Sequence, residues 1–134
     1  MKSFAGAILF LFIIGCSKKE EHRKINDGVV GNWKLTELFW SPGRPGSWHP
    51  VEASNQFSVN FGSDGKFSYS ANFFAANSHF NRYGLSRGTI FLSSTLNNNT
   101  DEWLYSFEGS QLIINFNVRV VCIEGCASRF VAVE

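Results

Sequence analysis

Residues 56–71 read QFSVNFGSDGKFSYSA, and this stretch decides the fold class. Apolar residues from Phe57 to Phe61 alternate with polar ones, and the alternation resumes at Phe67 after a turn. Apolar side chains at every second position indicate a strand with one buried face, because successive side chains point to opposite faces of a sheet. The intervening Ser63-Asp64-Gly65 contains an Asp-Gly pair, which favours a tight turn between two antiparallel strands. The stretch therefore predicts a β-hairpin.

The same alternation recurs through the rest of the chain after residue 28. Further strands are expected at residues 31–41, 82–85, 89–92, 102–107, 112–116 and 128–133. About eight short strands separated by turn signals are typical of an all-β barrel or sandwich. Residues 42–55 contain all three prolines and are expected to form a long loop, a kind of segment that often carries function.

The amino-acid composition excludes some classes of function. The chain has 134 residues, a formal net charge of +1, and 44% hydrophobic and 16% aromatic residues. This length allows one domain, and the aromatic content is not that of a disordered chain. Nucleic-acid binding is not expected, because it depends on a basic surface that neutralises phosphates.

The N-terminal segment has the features of a targeting signal. Met1-Lys2 precedes an apolar run from Phe4 to Ile14, which is too short to span a hydrocarbon core of about 30 Å. The following Ile13-Ile14-Gly15-Cys16 resembles the lipobox of bacterial lipoproteins. The resemblance implies that residues 1–15 are a signal peptide and that Cys16 carries a diacylglycerol.

Membrane anchoring follows from this resemblance. Two or more acyl chains give stable attachment to a bilayer, so the membrane is an expected partner through the lipid on Cys16. Ser17 is not Asp, which in such lipoproteins permits sorting to the outer membrane of a Gram-negative bacterium, facing the periplasm or the cell surface. Residues 16–28 are polar, without hydrophobic periodicity, and are expected to form a flexible linker.

The remaining chain resembles the small lipocalin-like lipoproteins. Gly31-Asn32-Trp33 matches their Gly-x-Trp motif at the first strand, and Trp48-His49-Pro50 and the ending from Cys122 to Phe130 are also similar. The resemblance covers residues 29–134 and implies an eight-stranded up-and-down antiparallel barrel. It also implies that Trp33 closes the barrel floor by packing against Arg129.

Cys122 and Cys126 are expected to form a disulfide. They flank Ile123-Glu124-Gly125, which is typical of a three-residue hairpin loop, and an exported protein meets an oxidising compartment. Two free thiols are the alternative.

Aromatic side chains are the candidate ligand contacts. Trp40 and Trp48 flank or lie within the long loop at the expected barrel mouth, and several alternating aromatics are expected to point inward. The candidate ligand-binding residues are Trp40, Trp48, Phe67, Tyr69, Trp103 and Tyr105. The alternative for the inward rings is that they form the hydrophobic core.

Catalytic and metal-binding patterns are missing from the sequence. His22, His49 and His79 have no ligand at a metal-binding spacing, and no Gly-x-Ser-x-Gly elbow or phosphate-binding glycine loop occurs. We therefore expect no cofactor and no enzymatic activity. Two functions follow as hypotheses: a barrel that binds a small apolar or aromatic ligand, or a filled barrel whose loops contact another envelope protein or a glycan.

Overall fold

Nine antiparallel strands form one sheet in the computed structural model, which describes residues 28–40, 45–116 and 126–134. The strands are β1 (Gly31–Trp40), β2 (Ser47–Pro50), β3 (Ser58–Phe61), β4 (Phe67–Tyr69), β5 (Arg82–Ser86), β6 (Thr89–Ser93), β7 (Thr100–Glu108), β8 (Gln111–Phe116) and β9 (Ala127–Val133). Ala53–Asn55 and Ala76–Ser78 form single turns of 3₁₀-helix, and the described residues contain no α-helix. The proposed signal peptide, Cys16 and Cys122 lie outside the described residues.

Eight of the strands form a nearly closed barrel. Their order is β4-β3-β1-β9-β8-β7-β6-β5, so chain neighbours are also sheet neighbours. Where the ends of this sheet meet, the Phe67 amide donates to the Asn81 carbonyl at 3.1 Å and the Tyr83 amide donates to the Gly65 carbonyl at 3.0 Å. These bonds join β4 to β5. The predicted all-β, eight-stranded up-and-down antiparallel barrel is confirmed.

The ninth strand, β2, corrects the prediction of a long loop over residues 42–55. β1 runs past the end of β3, and β2 pairs with this overrunning part, with Leu38 opposite His49 and Phe39 opposite Trp48. The pairing satisfies backbone groups of β1 that β3 is too short to reach. A 3₁₀ turn at Ala53–Asn55 then leads the chain towards β3. The three prolines of this segment favour a loop, so the sequence pattern did not indicate a strand of only four residues.

Aromatic side chains fill the barrel interior. Trp103 packs against Phe67, Phe73 and Phe116, with ring centroids 5.8, 6.0 and 4.8 Å away. The other fully buried large side chains are Trp33, Phe61, Phe130, Ile90, Leu92, Leu112, Ile114, Val29 and Val59. An eight-stranded barrel is just wide enough to be filled by its own side chains, and this one is filled along its middle.

The turn between β3 and β4 depends on glycine at position 65, where φ is +79°. We expect Gly65→Ala to lower the free energy of unfolding by about 1–2 kcal/mol, because an L side chain is strained in this region of backbone space. Gly84→Ala is the matched control, since a Cβ there meets nothing within 4 Å and the backbone is unstrained. Urea unfolding of both variants measures the difference. Equal stability of the two would contradict the turn geometry.

Candidate functional site

An apolar cleft of about 870 Å³ opens at one end of the barrel. Three strands bring their ends there: Trp40 ends β1, Phe116 ends β8 and Ala127 begins β9, and all three residues line the cleft. Most of the remaining wall is apolar, including Leu35, Leu38, Val51, Phe57 and Phe74.

Three phenylalanine rings separate the cleft from the packed interior. The Phe74 ring lies 5.8 Å from that of Phe57 and 4.9 Å from that of Phe116, measured between centroids. Phe116 in turn meets Trp103 edge-on, as described above. Phe74 comes from the connection between β4 and β5 and is 52% exposed, so one face of this aromatic floor is open to the cleft.

Few of the described residues that line the cleft are polar. His49, Glu52, Asn55, Asn72 and Ser128 contribute to the lining. The Asn72 amide donates to the Gln56 carbonyl at 2.5 Å, and its oxygen accepts from Ser70 at 2.8 Å.

His49 occupies the β2 side of the cleft. Its Nε2 lies 2.9 Å from the Ser47 hydroxyl, and its ring meets the Trp40 ring edge-on at 5.7 Å. This side of the cleft therefore presents an imidazole from β2 and an indole from β1.

Arg129 ties four strands together on the outer face of the barrel. It donates to Glu37 at 2.6 Å and to Glu108 at 2.9 Å, and its Cζ lies 3.8 Å from the centroid of the Trp48 ring. The hydrogen bond to Glu37 is the main reason that the pKa of Arg129 is raised above its usual value. Because Trp48 lies on β2, this stack helps hold β2, and with it one wall of the cleft, against the barrel.

The expected contact between Trp33 and Arg129 is replaced by other contacts. Trp33 pairs with Ala132, three residues from Arg129, so alternation along β9 puts the two side chains on opposite faces of the sheet. Trp33 points inward and its indole N–H donates to the Val29 carbonyl at 2.7 Å. Trp33 is therefore buried without a contact to Arg129, which takes Trp48 as its aromatic partner.

The structure divides the predicted ligand-binding residues into three groups. Trp40 lines the cleft, whereas Trp48 lies on the outer face beneath Arg129. The other four belong to or pack against the filled interior and do not line the cleft: Phe67, Tyr69, Trp103 and Tyr105. Cys126 also lines the cleft, while its predicted disulfide partner Cys122 lies outside the described residues, so that pairing stays a prediction.

Sequence reasoning did not find Leu38, Phe74, Phe116 or Ser128 as cleft residues. Alternation does place Ser128 on the same face as the buried Phe130, which was an available signal of an inward polar side chain. Phe74 carried no such signal, because it lies in an irregular connection whose path depends on tertiary packing.

These features define a class of protein: a small antiparallel barrel, consistent with a lipocalin-like fold, with a filled middle and an apolar cleft at one end. No protein-family model, curated protein or solved structure matches the chain. The described ranges contain no group of three or more His, Cys, Asp or Glu residues arranged to hold a metal ion. Neither do they contain a helix with the length and apolar character needed to cross a membrane.

We expect Arg129→Met to loosen β2, because methionine keeps the apolar stem but removes the cation that stacks on Trp48. Amide hydrogen exchange in Ser47–Pro50 should become a few-fold to about tenfold faster. Exchange in β6 should change little, because β6 contributes no residue to this cluster.

Glu108→Gln is the control for this variant, since the Glu108 side chain is the more exposed of the two carboxylate partners. In Glu108→Gln, the rates of amide hydrogen exchange in β2 should stay close to those of the wild type. Unchanged exchange of β2 in Arg129→Met would contradict the role assigned to the stack.

Proposed function

We propose that this chain is an envelope-anchored lipoprotein whose barrel binds a small apolar or aromatic ligand. The observation that carries the proposal is the cleft itself. Its volume of about 870 Å³ lies within the range of small-molecule sites, which are mostly apolar with a few placed polar groups.

Exposed apolar surface around the cleft supports the same function. Leu38 and Trp40 are 42% and 53% exposed although both belong to a strand of the barrel. Apolar surface gathered around a concavity is more typical of a binding site than single apolar residues scattered over a surface. A ligand between these side chains and Phe74 would remove that surface from water, which is the main source of affinity in such sites.

The anchoring part of the proposal rests on the sequence. The apolar run before Ile13-Ile14-Gly15-Cys16 supports acylation of Cys16, and Ser17 supports sorting to the outer membrane. Attachment there would put the barrel in an oxidising compartment, which also favours the disulfide between Cys122 and Cys126.

An interaction lipoprotein is the second candidate. It is favoured by the filled interior and by Phe91 and Leu104, which lie on neighbouring strands of the outer face and are 41% and 59% exposed. In this case the outer face of β6 and β7, rather than the cleft, would meet another envelope protein or a glycan.

Native mass spectrometry of the full chain purified from its own envelope tests ligand binding. The wild type should carry a small molecule, and Leu38→Trp should retain less of it, because the larger indole occupies part of the space in the cleft. Leu104→Trp is the matched control: the same substitution at an exposed leucine that does not line the cleft should keep the ligand.

Two results would count against the binding proposal. Equal retention in the two variants would place the small molecule outside the cleft. A wild type that carries no ligand, with loss of a protein partner in Leu104→Trp, would favour the interaction candidate instead.

Metabolic labelling with a palmitate analogue tests the anchor. The wild type should be labelled and recovered with membranes, whereas Cys16→Ser should be unlabelled, because the thioether needs the cysteine sulfur. Equal labelling of the two, or a soluble wild type that keeps residues 1–15, would refute the lipoprotein assignment.

A further inference from the structure

Ser128 places a buried hydroxyl in the wall of the cleft. It lies on β9 opposite Leu38 on one side and Ile114 on the other, and it is only 4% exposed. It is the only polar residue in the buried set of the described residues. Leu38 and Ser128 both line the cleft, so Ser128 places a polar side chain next to an apolar one in the wall.

The Ser128 hydroxyl has no hydrogen-bond partner among residues 28–40, 45–116 and 126–134. In that part of the chain, Arg129 Nε is the only side-chain polar atom that is both fully sealed from solvent and unpartnered. The Ser128 oxygen is therefore reachable from the cleft. Water in the open cleft can bond to this hydroxyl, so a ligand that displaces the water has to replace its hydrogen bond or leave a buried hydroxyl unpartnered, which costs free energy.

Charge in the cleft restricts the ligand further. Among the described residues that line the cleft, Glu52 is the only acidic one, and none is Lys or Arg. A carboxylate placed here would lose hydration and face the like charge of Glu52, and the described lining offers it no Lys or Arg as a counter-cation, which is unfavourable. A neutral polar group carries a far smaller cost and needs one hydrogen bond only.

We infer that the ligand is a neutral, mainly apolar molecule that carries one hydroxyl or carbonyl group, rather than a fatty acid or another carboxylate. Its polar atom hydrogen-bonds to the Ser128 hydroxyl, and its apolar body lies against the rings of Phe57, Phe74 and Phe116. This inference rests on the proposed ligand-binding function and names the chemical class of the ligand.

Three probes of one shape test this inference: naphthalene, 2-naphthol and 2-naphthoate at pH 7, where only the last is charged. The full chain is held in lipid nanodiscs, and binding is read from the NMR methyl shifts of Leu35 and Leu38. Probe dissolved in the lipid contributes nothing to these protein signals. Ser128→Ala is compared with the wild type, and Ser106→Ala, an exposed serine of β7, is the matched control.

The wild type should bind 2-naphthol at least tenfold more tightly than 2-naphthoate. Ser128→Ala should weaken the binding of 2-naphthol by about 2–10-fold, which corresponds to the loss of one hydrogen bond. The same variant should leave the affinity for naphthalene unchanged within twofold. Ser106→Ala should bind all three probes as the wild type does.

The failures are distinguishable. Wild-type protein that binds 2-naphthoate as tightly as 2-naphthol, or Ser128→Ala that binds 2-naphthol unchanged, would overturn the ligand class while ligand binding itself stands. Wild-type protein that binds neither neutral probe would overturn the proposed function together with this inference.

Discussion

The packing of Trp103 against Phe67, Phe73 and Phe116 is the constraint on which the rest of the structure depends. An eight-stranded barrel encloses little more room than its own side chains occupy, and indole and phenyl rings use that room completely. The middle of this barrel is therefore closed to a ligand. A ligand that enters the barrel has to lie where strands extend beyond the packed rings, which is the end that carries the cleft.

The overrun of β1 makes that end. Leu38 and Trp40 continue the strand after its pairing with β3 has finished, and β2 covers the backbone that β3 leaves unpaired. The stack of Arg129 on Trp48 then fixes β2 from the outer face, so charge on the outside of the barrel supports an apolar wall on the inside. The salt bridges of Arg129, strand β2 and the cleft therefore depend on one another structurally.

The sequence predicts the fold of this chain better than its site, and the reason is the range of the interactions involved. The alternation of apolar and polar residues and the Asp64-Gly65 turn both act over a few residues. The strands and their up-and-down order can therefore be predicted from the sequence. Whether inward rings line a pocket or fill a core depends on how strands from distant parts of the chain converge. For that reason Trp103 was a candidate ligand contact, and Phe74 was not.

The central claim is that a ligand binds at the cleft end of the barrel and not within the filled interior. Methyl NMR of the isotope-labelled full chain under xenon pressure tests it directly, because xenon enters apolar cavities without needing a polar partner. The account predicts shifts for the methyl groups of Leu35, Leu38 and Val51, which line the cleft, and none for Ile90, Leu92 and Leu112 in the interior. Shifts centred on the interior leucines and Ile90, or no shift at the cleft, would contradict it.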